Sequence, residues 1–362
     1  MLKRIKVNLG RRSYEILIGK KILTRLGPEL RKLNLGTDVY IITNSWLKQK
    51  YGRRLGTVLS ENGFNFCFKI IPEGEKSKSL ELATRILQDL AQFEQQKKVF
   101  ILAFGGGVIG DLAGFVASIY KRGINYLQVP TTLLAQVDSA IGGKTAVDLN
   151  FGKNLVGAIY QPRLVFSDID FLQSLTQEQL IAGMAEVIKY AVIRDKKFFK
   201  FLEDNRAQIL KKSSLALLKC VSICSEIKAQ IVSRDEYEKK GLRTILNFGH
   251  TFGHAIETAG KYRGYNHGQA VALGMLAALD LSFRLKLLKP ENLFRVKELI
   301  KNYGLPTKVK GINLKKIIQA HYYDKKFFGK VNRLVLVPEI GRFKIVRNIN
   351  LDLIRSAAAQ LI

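Results

Sequence analysis

The sequence predicts an α/β plus all-α chain, with a parallel sheet first and a helical region after it. Three observations carry this. Short continuous apolar runs alternate with helical stretches up to about residue 175, apolar residues recur every three or four positions beyond it, and a glycine-rich turn follows one of the apolar runs. A length of 362 residues exceeds a typical single core and predicts two domains, 1–174 and 175–362.

The first residues, Met1-Leu-Lys-Arg-Ile-Lys6, alternate like a strand. Val39 to Ile42, Phe64 to Ile71, Val99 to Phe104 and Tyr126 to Val129 read as buried strands, with a helical pattern such as Ser79 to Gln95 between them. Helices are expected at 177–193, 197–211, 213–233, 245–260, 268–286 and 291–303, followed by a small hairpin of Arg333 to Val337 with Arg342 to Val346. No internal repeat or low-complexity segment interrupts the chain.

Composition narrows the function. The net charge is +29, but Lys and Arg are scattered, and short clusters at Lys48 to Arg54, Lys196 to Lys200 and Lys325 to Lys330 form no sustained basic stripe. A solvated surface with a general attraction for anions is expected, not a nucleic-acid partner. The longest apolar run, Ala270 to Ala278, is too short to span a bilayer, and Cys67, Cys220 and Cys224 cannot build a disulfide framework. A cytoplasmic protein with reduced cysteines and no membrane partner is expected.

Three of the four histidines, His250, His254 and His267, fall close together. A helix over 243–257 would project Arg243, Asn247, His250, His254 and Glu257 within roughly 80° of one another. Ile245, Phe248, Phe252, Ala255 and Ile256 would lie opposite. Imidazoles with a carboxylate suit zinc and related ions and leave a coordination position open, the arrangement of a catalytic metal. Thr251 stands where the His-Glu-x-x-His signature needs Glu, which disfavours peptide hydrolysis. A carboxylate is available in Glu186, three residues before Lys189 on a helical face, although such spacing is usually only an intrahelical ion pair and the sequence by itself does not choose.

After the strand ending at Phe104 comes Gly105-Gly-Gly-Val-Ile-Gly-Asp111, leading into a helix, where bare amides favour a pyrophosphate. The next segment, Gln128 to Asn154, sets hydroxyls, paired glycines and lysines into an apolar stretch where unpaired polar groups would be unfavourable. Ligand contact would account for them.

Together these motifs resemble the 3-dehydroquinate synthase family, the NAD-dependent cyclases of the shikimate pathway, along nearly the whole chain from Pro72-Glu-Gly-Glu-Lys-Ser-Lys-Ser79 to Asp324-Lys-Lys326. The resemblance implies a Rossmann-like NAD-binding domain, a helical metal-binding domain and an active site in the cleft between them. It implies zinc or cobalt held by Glu186, His250 and His267. For NAD it points to Asn44, Glu73, Gly74, Glu75, Lys76, Ser77 and Lys78, to Gly106, Gly107, Val108, Ile109, Gly110 and Asp111, to Thr131, Thr132, Lys144 and Lys153, and to Phe171, Leu172, Gln173 and Ser174. Catalytic roles are implied for Lys153, Asn154, Lys189, Arg243, Asn247 and His254, and substrate binding for Arg122, Asp138, Lys144, Lys228 and a lysine of the Asp324-Lys-Lys326 run.

The implied substrate is 3-deoxy-D-arabino-heptulosonate 7-phosphate, a phosphorylated sugar acid. The implied reaction is transient oxidation, phosphate elimination, re-reduction, ring opening and aldol closure. Arg122 would serve the neighbouring subunit of a homodimer. The alternatives are cyclases making inosose or valiolone, whose substrates carry no carboxylate for Arg243 and Asn247, and metal-dependent polyol dehydrogenases, which use Asp where Glu186 stands. Against the family's usual pattern, Gln269 replaces Glu, Thr176 replaces Pro, Ser174 replaces Thr, and Lys239-Lys240 adds a residue. Gln269 is expected to alter hydrogen bonding around the metal.

Overall fold

The computed structural model describes residues 2–94, 98–149, 151–261, 263–322 and 332–362, with backbone alone at 321 and 322. The Asp324-Lys-Lys326 run and the Lys325 to Lys330 cluster lie outside the described residues. Two compact units emerge, Met1–Leu175 with Leu217–Tyr237, and Thr176–Ala216 with Glu238–Ile362. The contiguous division expected at 174/175 is therefore interrupted. Leu217, Cys220, Val221 and Cys224 are fully buried, and Lys228 and Ser225 bond to the 135–139 segment of the first unit.

In the first unit the elements run β1 (Leu2–Val7), β2 (Tyr14–Gly19), α1 (Leu26–Leu33), β3 (Asp38–Thr43), α2 (Ser45–Ser60), β4 (Asn65–Ile70), α3 (Leu80–Glu94), β5 (Val99–Gly105), α4 (Gly107–Ile119), β6 (Tyr126–Pro130), β7 (Lys144–Leu149), β8 (Gly152–Ile159) and β9 (Leu164–Asp168). The seven-stranded sheet has the order β1-β2-β9-β6-β5-β3-β4. Every pairing in it is parallel except β1 with β2. All residues of β3, β5, β6 and β9 are buried, which is why their sequences are continuous apolar runs instead of alternating ones. Ile41, Leu102 and Leu127 meet Leu55, Ile86 and Leu112 in one core, each contributing about 2 kcal/mol through burial. The β7–β8 hairpin forms a separate antiparallel pair.

The sheet order fixes where a ligand can sit. From β3 the chain goes outward to β4, whereas from β5 it goes the other way to β6, so the connections part between the carboxyl ends of β3 and β5. A crevice at such a reversal is the usual binding place on an open parallel sheet.

The second unit contains α5 (Gln177–Arg194), α6 (Lys196–Asp204) and α7 (Arg206–Leu210). The long α8 (Ser214–Arg234) leaves it for the first unit, and the chain returns with α9 (His250–Ala259), α10 (His267–Arg284), α11 (Pro290–Asn302), α12 (Leu314–Tyr322), the hairpin β10 (Arg333–Glu339) with β11 (Arg342–Arg347), and α13 (Leu351–Ala359). The helix expected over 197–211 is divided at Asn205. α10 is buried along nearly its whole length, and α5, α9, α11, α13 and β10 pack around it.

Candidate active site

The helix expected over 243–257 is two pieces. Arg243–Asn247 form a separate 3-10 turn, and Gly249, at φ 78°, reverses the backbone before α9 starts at His250. A Cβ at Gly249 would stand 2.6 Å from Met275 Cγ, so glycine is required by both conformation and space. Arg243 and Asn247 therefore do not share a helical face with the histidines. His250, His254 and Glu257 do, on successive turns of α9.

Three helices meet at backbone contact. A Cβ on Gly268 of α10 would lie 2.2 Å from the Ala182 carbonyl of α5, and one on Gly274 would lie 1.9 Å from the Gly249 carbonyl. These small residues bring the side chains of α5, α9 and α10 to one point. Glu186 Oε1 lies 3.4 Å from His250 Nε2 and 3.4 Å from His267 Nε2, and the three ligand atoms all lie within 4.8 Å of one another. An ion bound at the usual distances would set tetrahedral ligand atoms about 3.3 Å apart, so the geometry fits a zinc-sized cation. Two nitrogens and one oxygen also match the donor preference of zinc and cobalt.

The surroundings favour the neutral, metal-binding form of His250 and a proton on His267 that an arriving ion must displace. Glu186 is fully buried, and its Oε2 contacts the Lys189 ammonium. His250 Nδ1 lies 3.2 Å from the Phe248 carbonyl, which leaves Nε2 as the ligand atom. Burial holds the His250 pKa well below its ordinary value, with Lys189 adding to the effect and Glu186 opposing it. At His267 burial also opposes charge, but Glu186 and Glu257 outweigh it and push the pKa up to about 10. His254 is exposed and sets its ring edge-on to His250, 5.5 Å away. Arg243 is 1% exposed, with Glu238 Oε1 3.9 Å from its Nε.

Both helices that carry Glu186 and His267 begin with a capping box. Thr176 and Gln179 cap α5, and Asn266 and Gln269 cap α10 by exchanging backbone and side-chain hydrogen bonds. Asn266 Nδ2 also donates to Glu178 Oε1 at 3.3 Å, tying the two helix starts together. Gln269 thus commits its side-chain oxygen to the Asn266 amide at 3.0 Å. That oxygen therefore serves the helix start that bears His267.

In the first unit several expected residues gather at the carboxyl ends of β3, β5 and β6. Gly106 caps α4 in an extended conformation with no side-chain cap, so the N-cap residue itself leaves the first amides of that helix without a side-chain acceptor. Gly110 packs instead, since a Cβ there would lie 2.6 Å from the Gln128 side chain. Thr131 is buried and donates its amide to the Gly105 carbonyl. Lys78 is 4% exposed and donates to Asp111 Oδ2 at 2.8 Å and to Asn154 Oδ1. Glu75 lies 3.7 Å from Lys78 and 3.9 Å from Lys153. Burial works against the Lys78 ammonium, but Asp111 and Glu75 outweigh it and raise its pKa. Three stretches distant in sequence thus meet in one cluster. Asn154, at φ 55°, holds a strained backbone there, with its amide donating to Asp148 Oδ1 at 2.7 Å.

Other expected residues are placed differently. Asn44 Oδ1 accepts the Leu47 amide at 2.8 Å and caps α2. Phe171 and Leu172 are core residues, Phe171 packing edge-on against Tyr51 and Phe104. Ser174 bonds to the Phe171 carbonyl, and Gln173 is exposed. Lys228 Nζ donates to Asp138 at its carbonyl, 2.8 Å, and at Oδ1, 2.7 Å, on a π-helical turn. Lys144 is exposed on β7, and Arg122 on a turn where it and Lys121 both have positive φ. Sequence reasoning missed Asp148, which stood unremarked four residues after Lys144, and the helix contact at Gly268, for which no sequence signal existed.

An open, mostly parallel sheet with a binding reversal, joined in one chain to a helical unit with a Glu-His-His cation site, defines the class of the dinucleotide- and metal-dependent sugar-phosphate cyclases. Solved structures divide accordingly. A 2-deoxy-scyllo-inosose synthase complexed with carbaglucose-6-phosphate, NAD+ and Co2+ matches with a TM-score of 0.90 at 26% identity, covering 99% of this chain and 100% of that one. The 2-epi-5-epi-valiolone synthase ValA of Streptomyces hygroscopicus, with NAD+ and Zn2+ bound, matches at 0.88 and 26% identity over 96% of each chain. An iron-containing alcohol dehydrogenase, at 0.68 and 15% identity over 100% of this chain and 99% of that one, shares the fold alone.

Sequence relatives are more specific. The 3-dehydroquinate synthase of Thermodesulfovibrio yellowstonii is 44% identical over 345 residues, 95% of this chain and 96% of its own. That of Desulforamulus reducens is 44% identical over 347 residues, 95% and 96% of the two chains. Family profiles described as 3-dehydroquinate synthase N-terminal and C-terminal match residues 68–182 and 183–327. The chain belongs to the 3-dehydroquinate synthase family.

Proposed function

We propose that this chain converts 3-deoxy-D-arabino-heptulosonate 7-phosphate to 3-dehydroquinate and phosphate, with NAD regenerated in each turnover. The observation that carries the reading is the equal 3.4 Å approach of Glu186 Oε1 to the two imidazoles, in a chain of this family. Glu186, His250 and His267 would hold a divalent ion, zinc or cobalt, and the α4 start with the Lys78 cluster would hold NAD. When bound, the ion supplies Lewis acidity toward the substrate hydroxyls and NAD a reversible hydride acceptor.

The chain's own side chains bind and orient. Arg243, almost wholly buried, is the group for the substrate carboxylate, since a guanidinium matches a carboxylate in two parallel hydrogen bonds. Asn247 follows it on the same turn. Lys144, Lys228 and Asp138 are assigned to substrate phosphate and hydroxyls, and Lys189 to the substrate beside the metal. His254, exposed next to His250, and Lys153 with Asn154 are assigned to holding and moving protons. We assign Arg122 to the neighbouring subunit of a homodimer, supported by its exposed turn.

A phosphate-release assay with the heptulosonate phosphate, NAD and Co2+ tests the reading. Turnover is expected to need all three and to leave no net NADH. Arg243→Ala should lose turnover while retaining cobalt. Accumulating NADH would instead point to a dehydrogenase, and turnover of a sugar phosphate without a carboxylate to another cyclase.

A further inference from the structure

The reaction as proposed gives no part to Glu257, although this carboxylate is 6% exposed and stands two turns beyond His250 on α9. Its Oε2 lies 3.8 Å from His267 Nδ1, on the far side of the ring from Nε2, which faces Glu186. Burying a carboxylate is strongly unfavourable unless a donor or a cation meets it. The pairing at His250 is analogous but neutral, because its Nδ1 faces the Phe248 carbonyl.

We infer that Glu257 is the positioning residue of the metal site: it receives the Nδ1–H of His267, fixes the ring so that the Nε2 lone pair points at the ion, and makes that nitrogen the more basic of the two imidazole ligands. This rests on the metal-site reading above. α9 then serves the cation twice, through a ligand on its first turn and through a carboxylate orienting the ligand of the neighbouring helix. A metal-ligating imidazole ordinarily donates its second N–H to such an acceptor, and loss of the acceptor weakens metal binding about 10- to 100-fold.

Cobalt is the probe, since its visible absorption reports ligand geometry directly. The full-length protein is stripped with a chelator, checked for retained secondary structure, and titrated with Co2+ against a competing chelator, without substrate or NAD. Glu257→Ala is expected to bind Co2+ about 10- to 100-fold more weakly, with a displaced absorption band. Glu257→Gln fills the same space and keeps an acceptor oxygen, so it should recover part of the affinity and the wild-type band position. Binding within about twofold of wild type in both variants, or an unmoved band in Glu257→Ala, would overturn the inference. If wild type and Glu186→Gln bind cobalt equally, the triad itself is wrong, a result separate from the fate of Glu257.

Discussion

The Lys78 cluster of the first unit and the Glu186 triad of the second solve opposite electrostatic problems. Around Lys78 the charges are already matched: one buried ammonium meets Asp111, Glu75 and the Asn154 side-chain oxygen, Oδ1, and Lys228 meets Asp138 in the same way. A ligand arriving there exchanges one set of partners for another. Around Glu186 three lone-pair donors converge on one point. Their mutual repulsion is relieved in the apo chain by the Lys189 ammonium and by a proton on His267, and a divalent ion relieves it more completely. The first region is built to exchange partners, the second to require a cation.

The largest effect should come from striking the second region directly. Glu186→Gln removes the charged ligand and should lower Co2+ affinity by well over the roughly 100-fold that bounds an outer partner, abolishing phosphate release while leaving NAD binding intact. Isothermal titration with each ligand checks the separation. Loss of NAD binding together with metal would break the contrast between the regions.

Gly268→Val tests whether the triad depends on helix contact. The added side chain must push α10 off Ala182, so metal affinity should fall about tenfold or more although no ligand is altered, by analogy with loss of a supporting group. Chelator competition would detect it, and unchanged affinity would show that the ligands tolerate helix displacement.

Lys78→Met strikes the first region. Removing one partner of a buried pair costs about 3 kcal/mol, reduced here because Asp111 keeps some exposure, and denaturant midpoints should register about 2 kcal/mol. NAD affinity should fall while Co2+ affinity stays at the wild-type value.

Smaller effects sharpen the comparison. Thr176→Ala and Asn266→Ala each remove a helix cap worth about 1 kcal/mol. Asn266→Ala alone should also weaken cobalt binding, because its helix begins with His267. Outside both regions, Glu29 is a control. Burial works against its carboxylate, but hydrogen bonds from Arg4 and Lys32 outweigh it and hold the pKa below the ordinary value. Its stabilisation is therefore present above the ordinary carboxylate pKa and lost as pH falls through the lowered one. Since Arg4 and Lys32 are partly exposed, Glu29→Gln should cost about 0.5 kcal/mol at pH 7 and nothing in acid below both values. Urea titrations at the two pH values decide this.

Legibility differs between the regions for the same physical reason. Strands β3, β5 and β6 were readable because a strand buried on both faces must be apolar throughout, and the glycine turn because β5 runs straight into α4. The break at Gly249 was hidden because its apolar neighbours keep a helical spacing across it. Ile245, Phe248 and Phe252 are all buried whether or not the helix is continuous. The excursion of α8 into the first unit was equally hidden, since an amphipathic pattern says that a face is covered and not by what.

By itself, the sequence determined the two kinds of architecture, the family and the chemical character of the metal ligands, because burial periodicity and motif chemistry are local properties of a chain. That Glu186, His250 and His267 share one point, that Gln269 caps a helix, and that Glu257 faces His267 comes from the packing of the helices. Those facts depend on how closely three helices approach, and glycine contacts between residues far apart in the chain set that distance.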